Sequence, residues 1–213
     1  MSYLSQPSKF LATSSYKILS YGIPAFQSSD GFRTCPNAGK CSVGCYASQG
    51  RYSFGNVKAA YEKRLKLSLS ERFVHVITDE ILQVSERQEK LAIRIHDSGD
   101  FYSMKYALKW FEVAKECKSV RFYAYTKEVA LMKHLSRKLS LPANFTLIYS
   151  YGGRNDRLIN QENDRHARVF DNIEALRLAN YADACKDDSV AFLSDNHRIG
   201  LIYHGAKSKR WTA

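Results

Sequence analysis

The chain has 213 residues, of which 45% are hydrophobic and 13% aromatic, and this is enough for one sizeable core. No apolar run approaches the roughly 20 residues that span a bilayer, and the N-terminal residues lack the apolar centre of a signal peptide. We therefore expect a single globular domain over residues 1–213, in the cytoplasm and without a membrane partner.

The charge is strongly basic, with 32 Lys and Arg against 21 Asp and Glu, a formal net charge of +11. Such an excess attracts polyanions. Most of the basic residues are spread over predicted helices, and only residues 204–211, HGAKSKRW, form a compact basic stretch. Nucleic acid is therefore a candidate partner, and the compact basic stretch at 204–211 is where we expect it to bind.

The first chemical feature in chain order is a cysteine-rich loop at residues 35–50, CPNAGKCSVGCYASQG, with Cys35, Cys41 and Cys45 in a C-x5-C-x3-C pattern. In a reducing cytosol, clustered cysteines bind metal or do redox chemistry more often than they form disulfides. The Pro, Asn and Gly residues favour tight turns that curl the backbone round a soft ion or cluster. Tyr46 follows directly, and we expect it to pack over that group and restrict solvent.

Two helices are predicted next, over residues 56–70 and 71–86, followed by alternating strands and helices. Strands are predicted at 91–96, 120–127 and 145–156, the last ending in a glycine-rich turn, and amphipathic helices at 103–117 and 128–139. Short connections between these elements imply parallel strands with right-handed crossovers. The expected fold is α/β, either a partial parallel barrel or an open parallel sheet of β-α units.

Polar residues follow each predicted strand, in HDSGD at 96–100, YTK at 125–127 and SYGG at 150–153. Ligands bind beyond the carboxyl ends of parallel strands, so we expect these residues to converge on one site. His96 and Asp97 are the expected cofactor-binding pair, His96 as a donor to a cluster sulfur or as an acid/base. Lys127 is expected to neutralise thiolates or hold an anionic ligand, with a small polar molecule as a possible ligand.

Two cysteines lie outside the loop. Cys117 ends an apolar helical stripe, which is typical of a small core residue. Cys185, in NYADACKDD, is then the candidate fourth thiolate, and four thiolates suit either an iron-sulfur cluster or a tetrahedral zinc ion. The three-plus-one spacing favours a 4Fe-4S cluster, while zinc and redox-active thiols stay open.

The segments CPNAGKCSVGCYASQGRY, IRIHDSGDFYSMKYALKWFEVA, FYAYTK and LPANFTLIYSYGG resemble the phage-associated Gene product 88 family. Members of that family share CPxAGxCxxxCYA, RxHxSGDFYS and a YTK segment, and the likeness runs from about residue 30 to about residue 155. The resemblance implies a phage or prophage origin, a host-cytoplasmic location and an iron-sulfur site. It does not imply an activity.

A looser similarity links the cysteine triad and the predicted parallel strands to radical S-adenosylmethionine enzymes. Those enzymes typically use C-x3-C-x2-C, whereas this chain has C-x5-C-x3-C and a candidate fourth cysteine. S-adenosylmethionine is therefore an alternative cofactor only. Three functions stay open: an iron-sulfur protein with an unknown redox partner, which we expect, a cluster-dependent enzyme, and a zinc-stabilised nucleic-acid-binding protein.

Overall fold

The computed structural model describes residues 2–6 and 15–203. The basic stretch at 204–211 lies outside these residues. Within the part of the chain that is described, no helix combines the length and the apolar character needed to span a membrane.

The described residues form a seven-stranded sheet that curves into a half-barrel and in which every strand pairing is parallel. The strand order is β1-β2-β3-β4-β5-β7-β6. The strands are β1 (Lys17–Tyr21), β2 (Leu91–Ile95), β3 (Arg121–Thr126), β4 (Phe145–Ser150), β5 (His166–Phe170), β6 (Ala182–Asp183) and β7 (Arg198–Ile202). The expected α/β class with a partial parallel barrel is confirmed.

α-Helices connect the successive strands, as is usual for crossovers between parallel strands, except that β4 and β5 are joined by a loop with a 3-10 turn. They are α1 (Cys41–Gly44), α2 (Gly55–Leu69), α3 (Phe73–Ser85), α4 (Met104–Glu116), α5 (Val129–Lys138), α6 (Ile173–Leu178) and α7 (Val190–Leu193). Short 3-10 turns occupy Tyr46–Ser48, Gly50–Ser53 and Asp156–Leu158. The Ser103 side chain caps α4 by accepting a hydrogen bond of 3.2 Å from the Tyr106 amide.

The core lies on both faces of the sheet, and for that reason all five residues of β2 are buried. On the outer face, Trp110 of α4 packs edge-to-face on Tyr21 and Phe73, with ring centroids 5.3 and 5.2 Å apart. Cys117 is fully buried in this cluster, which confirms it as a small core residue. The inner face holds a smaller cluster that includes Ala92 and Tyr123.

Candidate metal centre

A cavity of about 150 Å³ lies beyond the carboxyl ends of β2, β3 and β4. Cys35, Cys41 and Cys45 line it from one side. The other expected site residues, Tyr46, His96, Asp97 and Lys127, also line it. The space is well below the roughly 300–1,000 Å³ of pockets that enclose drug-sized ligands, so it suits a compact group.

The cysteine loop is fastened to the turn after β4. The Cys41 amide donates to the carbonyl oxygens of Ala38, at 2.9 Å, and Gly152, at 3.1 Å. Gly39 has φ +54°, and a Cβ there would lie 2.7 Å from the backbone carbon of Gly153. Glycine is therefore required at position 39 both for its left-handed conformation and for the close approach of two backbones.

A second attachment joins the loop to the end of β3. Glu128 accepts hydrogen bonds from the Asn37 amide, at 2.9 Å, and from the Asn37 Nδ2, at 2.6 Å. Burial, with the nearby Asp100 carboxylate, raises the pKa of Glu128 to about 7 although the Asn37 bonds oppose the shift. Glu128 thus holds the segment between Cys35 and Cys41 against the sheet.

Asp100 ties the ends of two neighbouring strands together. Its carboxylate accepts from the Thr126 hydroxyl at 2.6 Å, from the Lys127 amide at 2.8 Å and from the Phe101 amide at 2.8 Å. Burial raises its pKa against the lowering effect of these bonds. The role of Asp100 is therefore to join the loop after β2 to the end of β3.

The three loop thiols differ in their tendency to ionise. Burial raises the pKa of Cys35 to about 12. A hydrogen bond from Cys45 lowers the pKa of Cys41, the Lys127 ammonium adds to this effect, and the pKa of Cys45 is raised in return. Of Cys41 and Cys45, Cys41 is therefore the first to lose its proton, and the resulting thiolate lies near Lys127.

Lys127 places a cation beside these thiols. Burial lowers the pKa of its ammonium, but the negative charges of Cys41 and Asp100 outweigh burial and the pKa is raised. Its Nζ donates to the Ser150 hydroxyl at 3.0 Å. The structure thus places Lys127 beside the loop thiols, and its role in neutralising thiolates stays a prediction.

His96 is held in an unusual backbone conformation, with φ +67°. The side chain is 4% exposed, and burial lowers its pKa to about 3, so the imidazole is neutral. Nε2 lies 3.0 Å from the Tyr106 hydroxyl, and Nδ1 has no hydrogen-bond partner among the described residues. When Tyr106 donates to Nε2, the proton of the ring sits on Nδ1 and makes this nitrogen a donor.

Asp97 is oriented by tyrosines. Its Oδ2 accepts from the Tyr61 hydroxyl at 2.9 Å, and its backbone carbonyl accepts from the Tyr46 hydroxyl. Tyr46 is 43% exposed, yet its hydroxyl end is buried against Asp97, and that burial raises its pKa. A side chain at position 22 would meet Asp97 Oδ1 at 2.1 Å, which explains the glycine there.

Sequence reasoning missed Arg94 and included Tyr125 only as part of YTK, without a role of its own, and both residues also line the cavity. The Arg94 guanidinium donates to buried Asp188 at 3.0 Å and lies 5.1 Å from the centre of the Tyr125 ring. Side chains two positions apart on a strand point to the same face of the sheet. Arg94 precedes His96 by two positions and Tyr125 precedes Lys127 by two, so this spacing could have indicated that both residues face the site. The prediction considered only the strand ends.

Cys185 does not line the cavity. It follows β6, and its sulfur accepts a hydrogen bond of 3.2 Å from the Ile202 amide. Its role as fourth ligand stays a prediction. Among residues 2–6 and 15–203, no three His, Cys, Asp or Glu side chains are grouped closely enough to hold one metal ion.

Comparison with protein families gives a match to the model described as Gene product 88, over residues 4–212. The chain belongs to the Gene product 88 family. The match extends well beyond residues 30–155, where the resemblance was seen, and includes the strands β5 to β7. Neither the curated proteins nor the solved structures include a significant match.

Proposed function

We propose that this member of the Gene product 88 family is an iron-sulfur protein that binds a 4Fe-4S cluster through Cys35, Cys41 and Cys45. The observation that carries the proposal is that the three thiols of one loop line the same cavity. Thiolates are the preferred ligands of iron-sulfur clusters, so the donor set fits this group. When bound, the cluster supplies a one-electron redox centre.

The other residues of the cavity fit the same interpretation. Thiolate ligands carry negative charge, and Lys127 supplies a cation beside Cys41. The His96 imidazole adds a neutral ring whose Nδ1 has no hydrogen-bond partner in the described part of the chain, and hydrogen bonds to cluster or thiolate sulfur raise the reduction potential. Tyr46 forms part of the wall towards solvent, so it limits access of water to the cavity.

The experiment that tests the ligands is a cysteine series, read by iron and acid-labile sulfide after purification without oxygen. Cys35→Ser, Cys41→Ser and Cys45→Ser are each expected to lose most of both. Cys117→Ala is the control and should keep the wild-type content, since Cys117 is buried in the core. Full iron and sulfide in Cys35→Ser would make the ligand assignment wrong.

Cys185→Ser decides the fourth ligand. Loss of iron would make Cys185 a ligand, and retention of a more reactive cluster would mean a site with three thiolates.

A cluster-dependent enzyme is the second candidate. It is favoured by the position of Cys185 outside the cavity lining, because three thiolates leave one iron of a cubane without a cysteine. Ser98 and Tyr125 line the same cavity, and Ser98 Oγ and Tyr125 OH have no hydrogen-bond partner among the described residues. Reductive cleavage of S-adenosylmethionine by the cluster-loaded protein, abolished in Cys41→Ser, would establish this candidate. Its absence would leave the redox role.

A further inference from the structure

The short segment Cys41–Cys45 lies between the cavity, on the side lined by the loop thiols, and the solvent. Cys41, Gly44 and Cys45 line the cavity, while Val43, between them in sequence, is 57% exposed. The inner surface of this short segment therefore faces the candidate cluster, and its outer surface faces water. A redox protein that contacts the outer surface would exchange electrons across one layer of residues.

The chain in and just after this segment exposes three large apolar side chains. Val43, Tyr46 and Phe54 are 57%, 43% and 58% exposed, and they follow one another within twelve positions of the chain. Exposed apolar side chains that occur together mark interaction sites, whereas single ones are ordinary. We call these three residues, with the exposed cations Lys40 and Arg51, the docking face.

All the charged residues in the part of the chain that contains the docking face are basic. From Gly31 to Tyr61 the chain carries four basic residues and no Asp or Glu. The four are exposed, and they are Arg33, Lys40, Arg51 and Lys58. A surface of this kind attracts an acidic partner and repels a basic one.

We propose that the docking face receives a small acidic electron-transfer protein. The proposal rests on the proposed function, because electron exchange requires the cluster. An apolar centre with a charged rim is the anatomy of a protein interface. Nucleic-acid binding draws instead on many phosphate contacts from Lys and Arg, and here exposed apolar side chains separate the cations.

The test measures binding and electron transfer separately. The binding probe is a small acidic plant-type 2Fe-2S ferredoxin immobilised on a sensor surface, and association is followed at low and high salt. Reversing both cations of the docking face, Lys40→Glu with Arg51→Glu, should slow association at low salt by at least about tenfold and flatten the salt dependence. Val43→Ser with Phe54→Ser should instead speed dissociation.

A matched control reverses two cations elsewhere on the surface, so that the net charge of the protein changes by the same amount. Lys90 and Lys118 are exposed just before β2 and β3, at the opposite end of the sheet from the cavity. Lys90→Glu with Lys118→Glu should change association by less than about threefold, because separation and salt weaken the effect of distant charges. Equal losses in the two double variants would show attraction by net charge alone and overturn the proposal.

Two further outcomes are separable. Displacement of the ferredoxin by a single-stranded oligonucleotide that the docking-face variant fails to bind would assign the face to nucleic acid and overturn the proposal. Iron and sulfide are measured on every sample. A wild-type protein without them contradicts the proposed function whatever the ferredoxin does, while a loaded protein that neither binds the ferredoxin nor exchanges electrons with it contradicts the docking proposal alone.

Discussion

His96 combines three features that are individually uncommon. It has a positive φ, it is almost fully buried, and one ring nitrogen lacks a partner among the described residues. Burying a polar ring without full hydrogen bonding costs free energy, so such a residue is found where a ligand or a function compensates. This favours His96 as a residue of the site over a histidine that only fills the core.

The depressed pKa of His96 predicts a pH dependence of stability. The folded protein keeps the ring neutral down to about pH 3, whereas the unfolded chain takes up a proton below its ordinary pKa of 6.5. The stabilising contribution is therefore present above pH 6.5 and lost as the pH falls from 6.5 towards 3. Asparagine tolerates the positive φ at this position. The melting temperature of His96→Asn should therefore fall less steeply than that of the wild type over this pH range.

His75 provides the control for that experiment. Its side chain is 77% exposed, and it pairs with Asp79 at 3.3 Å on the surface of α3. His75→Asn should retain the wild-type pH profile. A His96→Asn profile that matches the wild type as closely would contradict the burial argument.

At the scale of elements, the sequence predicted the central β-α units correctly but missed β1, β5 and β6. The units from β2 to β4 have long amphipathic helices and apolar strands, and their observed bounds lie within one or two residues of the predicted ones, except that β4 ends at Ser150, before the glycine-rich turn that the prediction included. No long helix follows β1 directly, and the helix that follows β5 has only six residues, so neither strand belongs to a clear β-α unit in the sequence. Such strands are specified mainly by pairing with their neighbours, which a local pattern does not show.

The parallel strand order made it possible to predict that the candidate site residues lie together. The attachments of the cysteine loop could not be predicted in this way. Parallel strands bring His96 and Lys127 to one end of the sheet. The bonds from Asn37 to Glu128 join residues 91 positions apart, so no local spacing indicates them. The position of Cys185 depends likewise on the β6–β7 pairing.

The close contact between the cysteine loop and the turn after β4 predicts that Gly39→Ala is costly. Both Gly39 and Gly50 have a positive φ, but a Cβ at Gly50 would meet no atom of the described residues within 4 Å. Gly50→Ala should therefore cost only the backbone strain, about 1 kcal/mol. Gly39→Ala should cost more and release iron, measured by thermal unfolding and metal analysis. Equal effects of the two substitutions would show that the contact with Gly153 is unimportant.

Glu128 predicts a pH dependence of opposite sign to that of His96. Its pKa in the folded protein is raised to about 7 from an ordinary 4.5, so its contribution is greatest below pH 4.5 and is lost as the pH rises to about 7. Glu128→Gln keeps an acceptor for Asn37 without ionising. As the pH rises from 4.5 to 7, the melting temperature of Glu128→Gln should therefore increase relative to that of the wild type. A constant difference would contradict this.

At the scale of the whole molecule, the candidate metal centre lies where several elements meet. The loop at 35–50 contacts the turn after β4 and the end of β3, and the Tyr203 hydroxyl after β7 donates to the Gly44 carbonyl. A cluster bound there would therefore link both halves of the sheet. Because metal binding is coupled to folding, its removal should destabilise the entire domain and not the loop alone.

Removal of the metal by a chelator with a reductant is therefore expected to lower the melting temperature markedly. The same treatment of Cys41→Ser should change its melting temperature little, since that variant has already lost the cluster. The measurement is thermal unfolding followed by circular dichroism. An unchanged wild-type melting temperature after complete loss of iron would show that the centre does not support the fold.

The central claim is tested most directly by the iron, acid-labile sulfide and zinc content of protein purified without oxygen, together with an optical spectrum. We predict about four irons and four sulfides per chain, with the broad thiolate-to-iron absorption near roughly 400 nm. One zinc ion per chain without sulfide would contradict the iron-sulfur proposal and leave the zinc-stabilised nucleic-acid-binding protein in its place.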